Sequence, residues 1–121
     1  MTMWIVVAVI VVLFLLKMFL MSNISVSEAA EKLKDGAVLV DVRTPAEFES
    51  GHPPRAINIC LDSIGRIEKE IKDKEKPILV YCLSGARAMS ASSAIKKMGY
   101  ADVRNIGPYS KAVKAAAAVD A

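Results

Sequence analysis

Hydrophobic and polar positions divide the chain in two near residue 22. Residues 4 to 21, WIVVAVIVVLFLLKMFLM, are apolar everywhere except Lys17. Wound as a helix they span roughly 27 Å, close to the ~30 Å hydrocarbon core of a bilayer. Lys17 sits one turn from the end, where its ammonium reaches the interface, and Trp4 stands where an interfacial aromatic belongs. A cleaved signal peptide needs a basic start and an Ala-x-Ala-like cleavage site. Met1-Thr2-Met3 carries no base, and Leu20-Met21-Ser22-Asn23 offers no such site. The pattern predicts a single-pass membrane anchor over 4–21 and one soluble domain over 22–121.

After residue 22, short apolar blocks alternate with amphipathic ones. Ser25-Val26-Ser27-Glu28 is a capping box ahead of Ala29, Ala30 and Leu33 at helical spacing, and Gly36 ends that helix. Ala37 to Val42 reads as a buried strand. Thr44-Pro45-Ala46-Glu47 is a second capping box, opening a short helix that ends at Gly51. Ala56 to Cys60 is a short strand, and Ile64, Ile67 and Ile71 mark a charged helix ending near Asp73. Pro77 opens the strand Ile78 to Tyr81. A loop, Cys82 to Ala86, leads to a helix from about Arg87 to Met98. Val103 to Ile106 is a strand, and an alanine-rich helix runs from Pro108 to fray at Asp120-Ala121.

Strands alternating with helices imply a parallel sheet covered on both faces, with ligands bound at the carboxyl ends of the strands. The residues at those ends are Asp41, Arg43, Cys60, Cys82, Ile106 and Gly107. Polar and reactive groups therefore gather on one rim.

Composition narrows the chemistry. The chain has 121 residues, 16 basic and 13 acidic side chains, and a net charge of +3. It has no basic run and no aromatic-basic interleaving, so nucleic acid is not an expected partner. Its two cysteines, Cys60 and Cys82, and single histidine, His52, fall short of a zinc set and of a disulfide framework. No metal or other cofactor is expected. Lys17 on the C-terminal flank of the apolar span, together with a free thiol, places the domain on the cytoplasmic side of a bacterial cell membrane.

Tyr81-Cys82-Leu83-Ser84-Gly85-Ala86-Arg87 carries the chemistry. A cysteine ends a buried strand, four residues turn, and a helix begins. Such a turn directs successive peptide N–H groups inward, and the helix N-terminus adds its positive end, so the loop suits an anion. A thiolate at Cys82 would be that anion, and a thiolate is a nucleophile. Gly85 suits a tight turn with its backbone facing the ligand. Arg87 is locally wrong, because a cation in a first helical turn opposes the dipole. A carboxylate or the anionic contents of the loop should compensate it. An isolated cysteine in a strand is more often a small buried hydrophobe. The strand-loop-helix setting, Gly85 and Arg87 reverse that preference here.

The chain resembles the rhodanese family from residue 24 to about 107. The matching pieces are Val40-Asp41-Val42-Arg43, Glu47-Phe48, Gly51-His52, Ala56-Ile57-Asn58-Ile59, Val80-Tyr81-Cys82 with Gly85 and Arg87, and Gly99-Tyr100 before Val103. The resemblance implies a three-layer α/β domain with a five-stranded parallel sheet, Ile24 opening a short edge strand. It implies a sulfurtransferase that moves sulfane sulfur from thiosulfate or a persulfide to a thiol or cyanide through a persulfide on Cys82. Leu83, Ser84, Gly85, Ala86 and Arg87 would bind substrate, with Asp41 and Arg43 supporting the site. Arg43 and Glu47, four residues apart, also fit an ordinary surface ion pair, and both readings stay open. The alternative is a non-enzymatic sulfur relay or docking module for a membrane partner. Related dual-specificity phosphatases hold five residues between cysteine and arginine; four stand here, which argues against phosphate or arsenate chemistry.

Departures from the family are local. Pro53-Pro54-Arg55 replaces a segment that is usually Ile-Pro-Gly, so the approach to the next strand should be distorted. Gly107-Pro108-Tyr109 replaces a Gly-Gly and a tryptophan, and Tyr109 can fill that space. Cys60 stands two strands from Cys82 in the family's order. That is ~10 Å, too far for a disulfide without movement, so it reads as a packing residue. His52 reads as structural.

Overall fold

A computed structural model describes residues 2–22 and 24–120, with side chains for 2–17 and 24–120. Helix α1 (Thr2–Ser22) is continuous and adjoins the sheet at its edge. Its large apolar side chains between Met3 and Leu16 are 49% to 81% exposed. The side chains of residues 18–21 of the expected anchor lie outside the described set. Among the described residues, no helix is long and apolar enough to cross a membrane.

The domain alternates as expected: α2 (Val26–Lys34), β1 (Val38–Asp41), α3 (Pro45–Glu49), β2 (Ala56–Asn58), α4 (Ile67–Glu70), β3 (Ile78–Tyr81), α5 (Ala86–Lys97), β4 (Val103–Gly107) and α6 (Tyr109–Val119). The strands form one parallel sheet in the order β2-β1-β3-β4. Five strands were expected; the described residues form four. Ile24 is 1% exposed yet enters no ladder, because Ser25 already caps α2 and turns the chain into the helix. The cap forms by the Glu28 N–H donating to Ser25 Oγ at 3.1 Å.

Successive strand residues point to opposite faces, and this divides the core in two. Val40, Val42, Ile78, Val80 and Cys82 pack with Ala88, Ala91 and Ile95 of α5 and with Ile67 and Ile71. Leu39, Leu79, Tyr81 and Ile106 pack with Ala29 and Leu33 of α2 and Ala112, Ala115 and Ala116 of α6. Burying such side chains is worth about 1.5–3 kcal/mol each for the larger ones.

Three elements differ from the pattern. β2 stops at Asn58 rather than Cys60, and the Asn58 side-chain amide donates to the carbonyls of Asp41 and Arg43, each at 3.0 Å. The expected helix through Ile64 and Ile71 is a 3-10 stretch, Leu61–Arg66, kinked at Ser63, followed by the single turn of α4. Arg55 lies at φ 76°, a left-handed conformation costing an L-residue about 1–2 kcal/mol. The distorted approach to β2 is thus real, and it falls where glycine would be unstrained.

Candidate active site

The loop closing β3 wraps the Cys82 sulfur. The Gly85 N–H donates to Sγ at 2.9 Å and the Ala88 N–H at 3.4 Å. Both amides belong to the start of α5, whose positive end adds to the same field. Cys82 is fully buried, and its apolar neighbours alone would suit a small hydrophobe. A hydrophobe attracts no donors, however, and two aimed amides are placed to stabilise negative charge on sulfur. Along the loop, Leu83, Ser84 and Ala86 are exposed, Gly85 is buried and Arg87 half-buried.

Gly85 is required twice over. Its φ is 106°, and a Cβ there would stand 3.2 Å from the Cα of Gly107. That close approach comes from β4. A register shift opposite Val80 and Tyr81 brings Gly107 level with Tyr81, and the Gly107 carbonyl accepts from the Cys82 N–H at 3.3 Å. Asn105 completes the strap: its side-chain amide donates to the Gly85 carbonyl at 3.3 Å, and its Oδ1 accepts from the Gly107 N–H at 2.7 Å. The Tyr109 N–H donates to the Leu83 carbonyl at 3.1 Å. The sequence reading did not single out Asn105. Its signal was a polar residue of low strand propensity between Val103 and Ile106.

Arg87 is compensated by a carboxylate. Its Nη1 and Nη2 donate to Glu47 Oε1 and Oε2 at 2.7 and 3.0 Å, a bidentate pair. Glu47 is held at the start of α3 by its capping box, its Oε1 also accepting from the Thr44 N–H at 3.2 Å. The Arg87 guanidinium, then the Thr44 N–H, lower the Glu47 carboxyl to about 2. Arg87 is raised in turn, chiefly by Glu47, with the Cys82 sulfur adding to the effect.

Asp41 and Arg43 lie on the other face of the sheet. Glu47 is not the partner of Arg43, which bends back to Asp41. Arg43 Nε donates to Oδ1 and Oδ2 of Asp41 at 3.1 and 2.9 Å, and Nη2 to Oδ2 at 2.7 Å. Nη2 also reaches the Gly51 carbonyl at 2.8 Å, and the guanidinium carbon lies 4.5 Å from the centre of the Tyr109 ring. The Tyr81 hydroxyl donates to Asp41 Oδ2 at 2.6 Å. Burial first, and then that bond to a carboxylate, push the Tyr81 hydroxyl well above its ordinary range. Arg43 is likewise raised, mainly by Asp41.

Two lesser residues take structural places. His52 stacks on Phe48 with ring centroids 3.6 Å apart, and its Nδ1 lies 2.9 Å from the Phe48 carbonyl. Cys60 is free and half-buried beyond β2, with β1 between its strand and β3.

Comparison with known proteins agrees with this fold. A model of the rhodanese-like domain matches residues 25–110. The thiosulfate sulfurtransferase GlpE of Pseudomonas syringae pv. syringae is 39% identical over 80 residues, 65% of this chain and 74% of that protein. Among solved structures, a rhodanese with anions from E. coli superposes with a TM-score of 0.60 at 32% identity, covering 63% of this chain and 91% of that one. A human single-domain sulfurtransferase gives 0.64 at 25% identity, covering 74% and 93%.

Proposed function

The chain belongs to the rhodanese-like domain family, and from that membership we propose that it is a sulfurtransferase working through a persulfide on Cys82. The Cys82 thiolate attacks the outer sulfur of a donor such as thiosulfate or a persulfide. An Sγ–S bond forms, the donor's S–S bond breaks, and the leaving group departs with the electron pair. A thiol or cyanide then takes the outer sulfur, and the thiolate is restored. The observation that carries this reading is the pair of amides, Gly85 and Ala88, aimed at one buried sulfur. They serve thiolate and persulfide alike, so the site needs no rearrangement between half-reactions.

Burial of Cys82 fits this chemistry. An S–S bond of about 2.05 Å carries the reactive atom beyond the buried Sγ, within a loop whose Leu83, Ser84 and Ala86 side chains are exposed. A narrow terminal sulfur can enter a loop of this length where a tetrahedral phosphate has less room.

We propose further, from the apolar sequence of residues 4–21 rather than from the described part of α1, that this segment anchors the domain to a bacterial cell membrane, with the domain on the cytoplasmic side. Apolar side chains so exposed along α1 are costly in water and favourable in lipid. An anchored sulfur relay serving a membrane partner, with slow intrinsic turnover, is the alternative this helix favours.

Cys82→Ser tests the chemistry. The variant should keep its fold and lose transfer from thiosulfate and from persulfide donors alike. Transfer retained by the serine variant would refute the assignment. Loading of wild-type Cys82 without turnover would favour the relay.

A further inference from the structure

Charge is unevenly shared between the two ends of the domain. Cys82 lies on the rim where the strands finish; the opposite end, the base, is where they begin. There α2 finishes on Lys32 and Lys34, and α5 on Lys96 and Lys97. The segment leading into β3 adds Lys72, Lys74 and Lys76, and the start of β4 adds Arg104. Hydrogen bonds set these segments side by side. The Val38 N–H donates to the Pro77 carbonyl and the Ile78 N–H to the Asp102 carbonyl, each at 2.9 Å, and Lys74 Nζ reaches the Met98 carbonyl at 2.9 Å. Eight basic side chains thus meet five acidic ones, Asp35, Glu68, Asp73, Glu75 and Asp102, a balance of +3. The rest of residues 22–121, seven basic against eight acidic, carries −1. Lys32 and Arg104 share Asp102, and Lys74 holds Glu68. Lys34, Lys72, Lys96 and Lys97 are exposed and enter no ion pair among the described residues.

We propose that this base rests on anionic lipid headgroups, so that the anchored domain holds its Cys82 rim away from the bilayer and exchanges sulfur with partners in the aqueous phase. This rests on the reading of residues 4–21 as an anchor and adds the orientation of the domain upon it. The chain lengths fit. α2 joins β1 at the base, and its 9 residues run ~13.5 Å back along the sheet, which puts Ile24 level with the rim. From Lys17 to Ile24, five helical residues rise ~7.5 Å and the next two reach ~7 Å further. That sum matches the ~13 Å height of a four-residue strand. α1 adjoins β4, the strand at the sheet's edge, so the chain can climb that edge from a membrane at the base. A cytoplasmic leaflet is negative, and its field falls off within about 10 Å. The tether turns a weak encounter of four ammonium groups with that surface into an intramolecular one.

The test places the full chain in nanodiscs of phosphatidylcholine alone or mixed with phosphatidylglycerol. Lysines are acylated with an uncharged water-soluble reagent, and labelling is read by peptide mass. Lys34, Lys72, Lys96 and Lys97 should label roughly fivefold or more slowly in the anionic discs, the scale of one lysine held at an anionic surface. High salt should remove that protection. Lys111, in the first turn of α6 beside the rim, should label equally in both discs. Equal labelling of the four basal lysines in both discs, or protection of Lys111 in their place, would overturn the proposal while leaving the anchor intact. A chain that stays with neither kind of disc would overturn the anchor reading itself, and this inference with it.

Discussion

Two arginine–carboxylate pairs lie on opposite faces of one sheet edge, built from the same chemistry and differing in water. The Asp41 and Arg43 side chains are 0% and 5% exposed; those of Glu47 and Arg87 are 30% and 35% exposed. The first pair is sealed by Tyr81, Tyr109 and the Gly51 carbonyl, so every partner it has is protein. Removing one member strands a charge in a dry interior. The second pair shares its ions with solvent, and its loss strands nothing. What it touches is the field around Cys82. The same guanidinium–carboxylate chemistry thus acts as a structural bolt in one place and as an electrostatic setting in the other.

The sharpest way to break this contrast is Arg43→Ala. It leaves the Asp41 carboxylate buried without its counter-ion, a change expected to cost about 3–5 kcal/mol in denaturant unfolding. A loss as small as that of an exposed pair would show that water reaches Asp41 and that the two faces are alike. Glu47→Gln should move the unfolding midpoint far less. The depressed Glu47 carboxyl contributes stability that is present above its unfolded value near 4.5. That contribution fades as pH falls toward about 2. The difference in stability between wild type and Glu47→Gln, followed between those pH values, therefore reports the exposed pair.

Tyr81→Phe removes the hydroxyl from Asp41 and should cost roughly 1.5–3 kcal/mol. The hydroxyl is raised in the folded state, so its contribution is complete below pH ~10 and declines as pH climbs beyond it. The phenylalanine variant should lose that alkaline decline; an unchanged decline would assign it to another tyrosine. Asn105→Ala tests the strap beneath the loop. It should slow sulfur transfer roughly tenfold through misplacement of Gly85 and shift stability by only about 1 kcal/mol. The smallest effect is at Arg55. Arg55→Gly relieves a left-handed φ and should stabilise the domain by about 0.5–1 kcal/mol after the entropy of glycine is counted.

Local chemistry was legible in the sequence, and long-range pairing was not. Thr44-Pro45-Ala46-Glu47 announces its capping box because both halves of the box lie within one turn. The strand-loop-helix around Cys82 follows from apolar run, turn and helical spacing alone. The demand that Arg87 be compensated, by a carboxylate or by the anionic loop, was also readable from the helix dipole. Which carboxylate was not, because Glu47 stands 40 residues away. The four-residue spacing of Arg43 and Glu47 suggested a different pair. The capping box turns Glu47 toward the start of its helix instead, and the strand alternation that puts residues 41 and 43 on one side already favoured Asp41. Ile24 shows another limit. An apolar residue beside a cap has the same pattern whether it joins a ladder or plugs a core. The strap by Asn105 depends on a register shift in β4, which no local pattern encodes.

Everything proposed for Cys82 requires its sulfur, held by the Gly85 and Ala88 amides, to carry sulfane sulfur. The most direct measurement is the intact mass of the full chain after incubation with a hydropersulfide, followed by peptide mapping. The peptide bearing Cys82 should gain the mass of one sulfur atom, and the peptide bearing Cys60 none. The adduct should disappear when a thiol acceptor is supplied. An unmodified Cys82, or sulfur found on Cys60 alone, would contradict it.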